Sequence, residues 1–233
     1  MPSKVRKASK EKIPARSARP AGGRAPRKGA KQKWAERRAA RREAILAAAL
    51  DEFADRGFEG ARLDDVARRA GIAKGTIYLY FSDKEALFQE LIRAALSPVV
   101  SIIETAHSVD LPLRAVCDRL AGAFTREVLG TRRKDIVRLM LSEGPRFPKI
   151  AKFYYEEVPA RAFAAVRALV RKGIERGEIA DDTLEKFPQL LIAPGLVAVV
   201  WNGLFDKYEP LDAEAMLRAH FKLIFKAIER RTP

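Results

Sequence analysis

Between residues 71 and 88 the chain reads GIAKGTIYLYFSDKEALF, which sets Lys74 and Lys84 beside Tyr78, Tyr80 and Phe81. Ammonium groups neutralise phosphate and phenols hydrogen-bond to it, so the mixture suits the backbone of a polyanion. No comparable set exists for acid–base, nucleophilic or metal chemistry. The chain has two histidines, His107 and His220, and one cysteine, Cys117, all far apart in sequence. The acidic pairs Glu156-Glu157 and Asp181-Asp182 are adjacent in sequence, so on a helix their carboxylates point apart. Phosphate loops, metal-ligand spacings and nucleophile motifs are missing. The expectation is a binding protein with no catalytic residues, no metal and no cofactor.

The elements that must position these lysines and tyrosines can be read around them. Ala67 and Gly71 are four apart and Ile77 lies six further on, the spacing of a helix-turn-helix. A small residue lets the second helix approach, a glycine takes the positive φ of the turn, and an aliphatic locks the pair. Val66, Ile72, Ile77 and Phe81 are the expected buried staples. The second helix then presents Lys74, Gly75, Thr76 and Tyr78 outward, with Tyr80 at the boundary, where a major groove can receive them. Ser82-Asp83-Lys84-Glu85 reads as a capping box with Ser82 as the cap, and Lys84 adds charge beside the free amides of the helix it opens.

Strand-like alternation is absent, and Ala, Leu, Arg and Glu dominate. Nine helices are predicted, at about 35–56, 63–70, 74–80, 83–107, 112–129, 132–143, 148–176 with a kink at Pro159, 183–206 and 212–230. The fold class is all-α.

Residues 40–90 resemble the N-terminal DNA-binding domain of the tetracycline-repressor (TetR) family. The text that carries the likeness is AILAAALDEFADRGFEGARLDDVARRAGIAKGTIYLYFSDKEALF. The resemblance implies a TetR-like fold: a three-helix reading head (34–84) followed by a helical effector-binding and dimerisation domain (85–233). It implies a homodimeric regulator on a double-stranded DNA operator. Lys74, Gly75 and Thr76 would approach base edges, and Tyr78, Tyr80 and Lys84 would clamp phosphates. Two departures stand out. Arg62 and Ala73 occupy positions where relatives often carry a hydroxyl. Each loses a helix cap, at about 1 kcal/mol by the usual worth of an N-cap, although Arg62 can itself reach a phosphate.

In the second half, RLMLSEGPRFPKIAKFYYEEV (138–158) resembles the C-terminal domain of the AefR-like subgroup of that family. Breaks at Gly144-Pro145 and Pro148 can open a space between helices. Since the family holds its effector inside this bundle, Phe124, Met140, Glu143, Phe147, Tyr154 and Trp201 are the expected lining of a small-molecule pocket. Residues 190–205 are apolar on all sides, and the last helix repeats apolar residues. Leu196, Val200, Leu217, Phe221, Ile224 and Ile228 are therefore expected at a two-fold, four-helix dimer interface. Such a dimer would set two reading heads about 34–36 Å apart on a palindrome.

The formal charge of +15 is concentrated at one end. Residues 1–33 hold 12 basic residues against Glu11 alone, whereas residues 34–96 hold 11 of each sign. Rich in Pro, Gly, Ser and Ala, the basic tail cannot bury enough surface to fold, so disorder is expected. Its charge favours polyanions through counterion release, which supports a second function class, a sequence-blind DNA coat. Residues 1–33 contain no apolar signal core and residues 190–205 are too short for a bilayer span, so a cytoplasmic protein without a membrane partner is expected. The leading reading is a repressor released from its operator by a small molecule.

Overall fold

The computed structural model describes residues 28–228, and the regular elements among them are helical. In chain order they are α1 (Lys28–Gly60), α2 (Leu63–Arg69), α3 (Lys74–Ile77), α4 (Lys84–Ala106), α5 (Leu113–Phe124), a π-helical turn (Thr125–Leu129) and α6 (Arg133–Glu143). A 3₁₀ turn (Gly144–Arg146), α7 (Pro148–Glu157), α8 (Pro159–Glu175), α9 (Thr183–Lys186), α10 (Gln189–Leu204) and α11 (Ala213–Ile228) complete the series. Residues 1–27 of the expected basic tail lie outside the described residues, while 28–33 form the first turns of α1. The chain divides into two compact units, residues 1–39 and 40–233. The described part of the first is helical, with Trp34 exposed and the Arg38 guanidinium 5.5 Å from its ring.

Nine expected helices become eleven among the described residues because prolines cut two of them. The 148–176 helix is two helices. Val158, pushed out of the helical region at φ −123 and ψ −74, ends α7, and Pro159 starts α8. Likewise Phe187 at φ −122 and Pro188 separate α9 from α10. Pro98, by contrast, leaves α4 unbroken over 23 residues. Pro98 and Ala94 are both exposed, so the carbonyl that the proline leaves unpaired faces solvent. Of the described helices, α4 alone is long and apolar enough to cross a membrane, but its inward face, including Phe88, Ile92 and Leu96, is buried in the bundle.

Two cores hold the second unit. The first joins α1–α4 to parts of α6, α7 and α10, with Phe53, Ile77, Phe88 and Ile136 fully buried. Its centre is an aromatic chain. Phe53 meets Phe88 at 4.8 Å, Phe58 meets Phe88 at 5.3 Å, and Phe58 meets Phe147 at 4.8 Å. The second core joins α5, α8 and α11 around Cys117, Val170 and Phe225, and Phe124 packs against both cores. Each fully buried phenylalanine contributes about 1.5–3 kcal/mol.

Charge at the seams is paired. Glu52, fully buried on α1, takes Arg69 of α2 at 2.8 Å and Arg56 at 3.1 Å. Asp55 takes Arg69 at 2.7 Å, Asp51 pairs with Arg132, and Glu59 with Arg146. These acids of α1 tie the reading head together and join it to the loop before α6 and the turn before α7, so they add no free negative charge opposite a polyanion.

Candidate functional site

The helix-turn-helix forms as its spacing dictates. Ala70 ends α2 and Gly71 follows at φ +65. The Ile72 amide then donates to the Ala67 carbonyl at 3.0 Å, and the Gly71 amide to the Arg68 carbonyl at 3.2 Å. This is a Schellman closure, which needs a left-handed residue that glycine adopts without strain. Ala67, Val66, Ile77 and Phe81 are buried and Ile72 is half-buried. The packing fixes which way α3 faces. Neither Arg62 nor Ala73, the N-caps of α2 and α3, makes a side-chain cap bond.

The predicted contact residues fall into two groups. Arg62, Lys74, Gly75 and Tyr78 are exposed, and a Cβ added at Gly75 would meet nothing within 4 Å, so a ligand backbone can come close there. Lys74 is paired with Asp64 at 2.7 Å, which raises its pKa. Thr76 is half-buried, and Tyr80 is half-buried against the core with its ring 6.4 Å from Phe81. Lys84 is turned inward. Its Nζ donates to the Glu59 carbonyl at 2.8 Å and lies 4.8 Å from the Phe58 ring, and partial burial lowers its pKa. Leu79 was missed by the pattern of polar residues, yet it is 79% exposed beside Tyr78. An unbranched reading of "apolar means core" hides it; its place directly after Tyr78 on the outward turn is the signal that finds it.

The cap of α4 sits one residue later than expected. Asp83 is the N-cap, its carboxylate accepting from the Ala86 amide at 2.7 Å, while the Ser82 hydroxyl donates to Asp83 at 3.0 Å. Both bonds hold the Asp83 carboxyl below its ordinary pKa.

Below the head, a cavity of about 230 Å³ opens between α4, α5, α7, α8, α10 and α11. Of the expected lining, Phe124 and Tyr154 reach it, and the other four residues are elsewhere. Met140, on α6, is buried in the first core, and Phe147, which follows the 3₁₀ turn, meets the Phe58 ring edge-on. Glu143 sets its carboxylate against Gly57, 3.3 Å from where a Cβ would stand, and Arg146 lies 3.9 Å away. The left-handed φ of +69 at Gly57, which kinks α1 there, and this close approach both favour glycine. Trp201 faces outward far enough to donate from its indole to the Glu209 carbonyl at 2.8 Å. Residues not anticipated, including Val99, Cys117 and Phe163, complete the lining. The second half of α4 carries the legible signal, with Leu96, Val99, Val100 and Ile103 apolar at helical spacing.

The expected dimer residues also divide. Leu217 and Phe221 are buried in the second core and line the cavity, and Ile224 and Ile228 pack against the same core, so these four face inward. An amphipathic stripe is the same whether it meets its own bundle or a mate. The uncovered apolar face is on α10, where Leu190, Val197, Val200 and Leu204 repeat at intervals of seven, three and four with Leu196 beside them, all exposed. Leu223 on α11 is exposed as well. Both histidines turn to backbone carbonyls, His107 to Glu104 and His220 to Leu190 at 2.7 Å. Burial pushes the Cys117 thiol up to about 12.

Known proteins match this arrangement in sequence and in shape. Residues 45–91 match the profile of bacterial regulatory proteins of the tetR family, and residues 113–219 match the C-terminal domain of AefR-like transcriptional repressors. The transcriptional regulator RutR of Escherichia coli is 30% identical over 123 residues, which are 53% of this chain and 50% of RutR. The chain thus spans about half the length of that relative. The transcriptional repressor BepR of Brucella suis is 30% identical over 161 residues, 65% of this chain and 75% of BepR. A TetR-family regulator from Mesorhizobium loti superposes with a TM-score of 0.67 at 21% identity, over 82% of this chain and 98% of that one, a likeness of fold. A sequence-blind DNA coat finds no support among these relatives. With its reading head and its helical bundle each matched, this chain belongs to the TetR family of bacterial transcriptional regulators.

Proposed function

We propose that the protein is a cytoplasmic repressor that grips a palindromic operator as a homodimer and releases it when a small molecule enters the bundle cavity. The observation that carries this reading is α4. Its first residue, Lys84, belongs to the reading head, and its second half, from Leu96 to Ile103, walls the cavity. At 23 residues it is a rod of roughly 35 Å. A ligand that wedges against its lower half tilts its upper end and with it α3. Operator release then follows from differential affinity of the ligand for two head spacings, with coupling typically of 1–3 kcal/mol.

The reading head offers Lys74, Gly75, Thr76, Tyr78 and Leu79 to the groove, with Arg62 and Tyr80 flanking. Lys84 reaches phosphate with hydrogen-bonding capacity beyond the one donor it gives to Glu59, because an ammonium has three. The exposed α10 stripe supplies the dimer contact. Leu196 belongs to both that stripe and the cavity wall, so an occupied cavity can alter how two subunits meet.

A gel shift tests the reading. DNA from upstream of the protein's own gene should be retarded in the presence of excess random-sequence DNA, and a ligand that fills the cavity should abolish the shift. Equal affinity for both DNAs would sink it.

A further inference from the structure

The cavity contains no charge. None of its lining side chains is Asp, Glu, Lys, Arg or His, and only two carry a polar atom beyond the backbone, Tyr154 and Cys117. Charged residues next to the lining in sequence are closed on one another. Arg161, adjacent to Ala162, holds Glu104 through two bonds of 2.9 and 2.8 Å, and Arg218, adjacent to Leu217, holds Glu214 at 2.7 Å and lies 3.7 Å from Asp118. A carboxylate or ammonium brought in by a ligand would therefore lose its hydration and meet no counter-ion. The Tyr154 hydroxyl makes no hydrogen bond among the described residues, although burial pushes its pKa up to about 12. It stays a neutral donor, and a hydroxyl on a residue of the cavity wall can donate to an acceptor that enters. The Cys117 thiol, equally protonated, is a weak donor by comparison.

Size narrows the class further. A dry apolar cavity of about 150 Å³ takes benzene, six non-hydrogen atoms. By proportion the 230 Å³ here takes roughly nine. Resting on the repressor reading above, we infer that the effector is an uncharged, largely apolar molecule that presents one hydrogen-bond acceptor to the Tyr154 hydroxyl. A medium-chain alcohol and a small alkylated aromatic bearing one oxygen share that chemistry. The ligand has no ionised group inside the cavity, and Phe124 and Phe163 are among the side chains that surround it.

Calorimetry on the full chain with three probes tests this. 1-Octanol is neutral with one oxygen, octanoate has the same chain with a charge, and ethylbenzene is neutral without a polar atom. Octanol and ethylbenzene should bind, and octanoate should bind at least tenfold more weakly at neutral pH. Tyr154→Phe should weaken octanol roughly fivefold to tenfold, the usual worth of one hydrogen bond, and leave ethylbenzene unchanged. Filling the cavity with Ala162→Phe should abolish binding. Val99→Phe, on a different helix, provides the same test if the first variant does not fold. Octanoate binding as tightly as octanol, equal losses for octanol and ethylbenzene in Tyr154→Phe, no binding of either neutral probe, or binding that survives the filled cavity would each overturn the inference. Operator release by octanoate in place of octanol would remove this ligand class and leave the repressor standing. Cavity binding by octanol without any operator-specific gel shift would do the reverse.

Discussion

Lys84 is held between the Glu59 carbonyl and the Phe58 ring, so one residue serves both the fold of the head and its expected grip on phosphate. Replacing it with alanine should lower operator affinity and make the slope of log affinity against log salt shallower by about one, the signature of one lost phosphate contact. Tyr78→Phe, which removes an exposed hydroxyl and keeps the ring, should weaken binding without changing the melting temperature. The two buried acids of the cavity report on pH. The Cys117 thiol and the Tyr154 phenol both sit at about 12 in the fold, raised by burial from 9.0 and 10.0. A group raised in the folded state contributes stability that is complete below its unfolded pKa and lost as pH rises through its folded one. Stability should therefore fall between about pH 9 and 12, and Cys117→Ala should show a gentler decline over that window in thermal melts.

Among elements, the turn and the caps decide how the head is held. Gly71 is left-handed with no side chain crowding it, so Gly71→Ala tests backbone strain alone. It should cost about 1 kcal/mol or somewhat more in urea unfolding, since an alanine at this φ is strained. Asp83→Ala removes the only side-chain cap found on the three short entries to the head, α2, α3 and α4, and should cost about 1 kcal/mol. Because its carboxyl pKa is lowered, the Asp83 contribution is present above the ordinary carboxylate value and lost as pH falls through the folded one. The variant should lose less stability than the parent on acidification below about pH 4.

For the whole molecule, the proposed dimer rests on the exposed face of α10. Val197, half-exposed on α10 and outside the cavity lining, is the cleanest probe of the proposed interface. Val197→Asp should give a folded monomer by light scattering, with operator affinity reduced at least a hundredfold, because a single head reads half a palindrome. Leu217→Asp should instead unfold the chain, since it buries a carboxylate in the second core. A dimer that survives Val197→Asp would move the interface elsewhere.

How much of this was legible differs with the range of the interaction. The Gly71 turn, the buried Ile77 and Phe81, the exposed Lys74 and Tyr78 and the all-helical class depend on residues a few positions apart, and local spacing carries them. Splitting at Pro159 and Pro188 is also local, since a proline disfavours helical backbone in the residue before it. What spacing could not decide was which of several apolar faces met which. Leu217 and Phe221 look the same to a mate as to their own core, and Phe147 looks the same beside a ligand as beside Phe58. The second role of Lys84, in holding the head together, shows only when the end of α1 is brought against it. The sequence by itself determined the reading head and its exposed chemistry, because both follow from helical periodicity and one left-handed glycine. Only the tertiary structure decided the cavity, its lack of charge and the uncovered face of α10, because each is a property of surfaces brought together from distant parts of the chain.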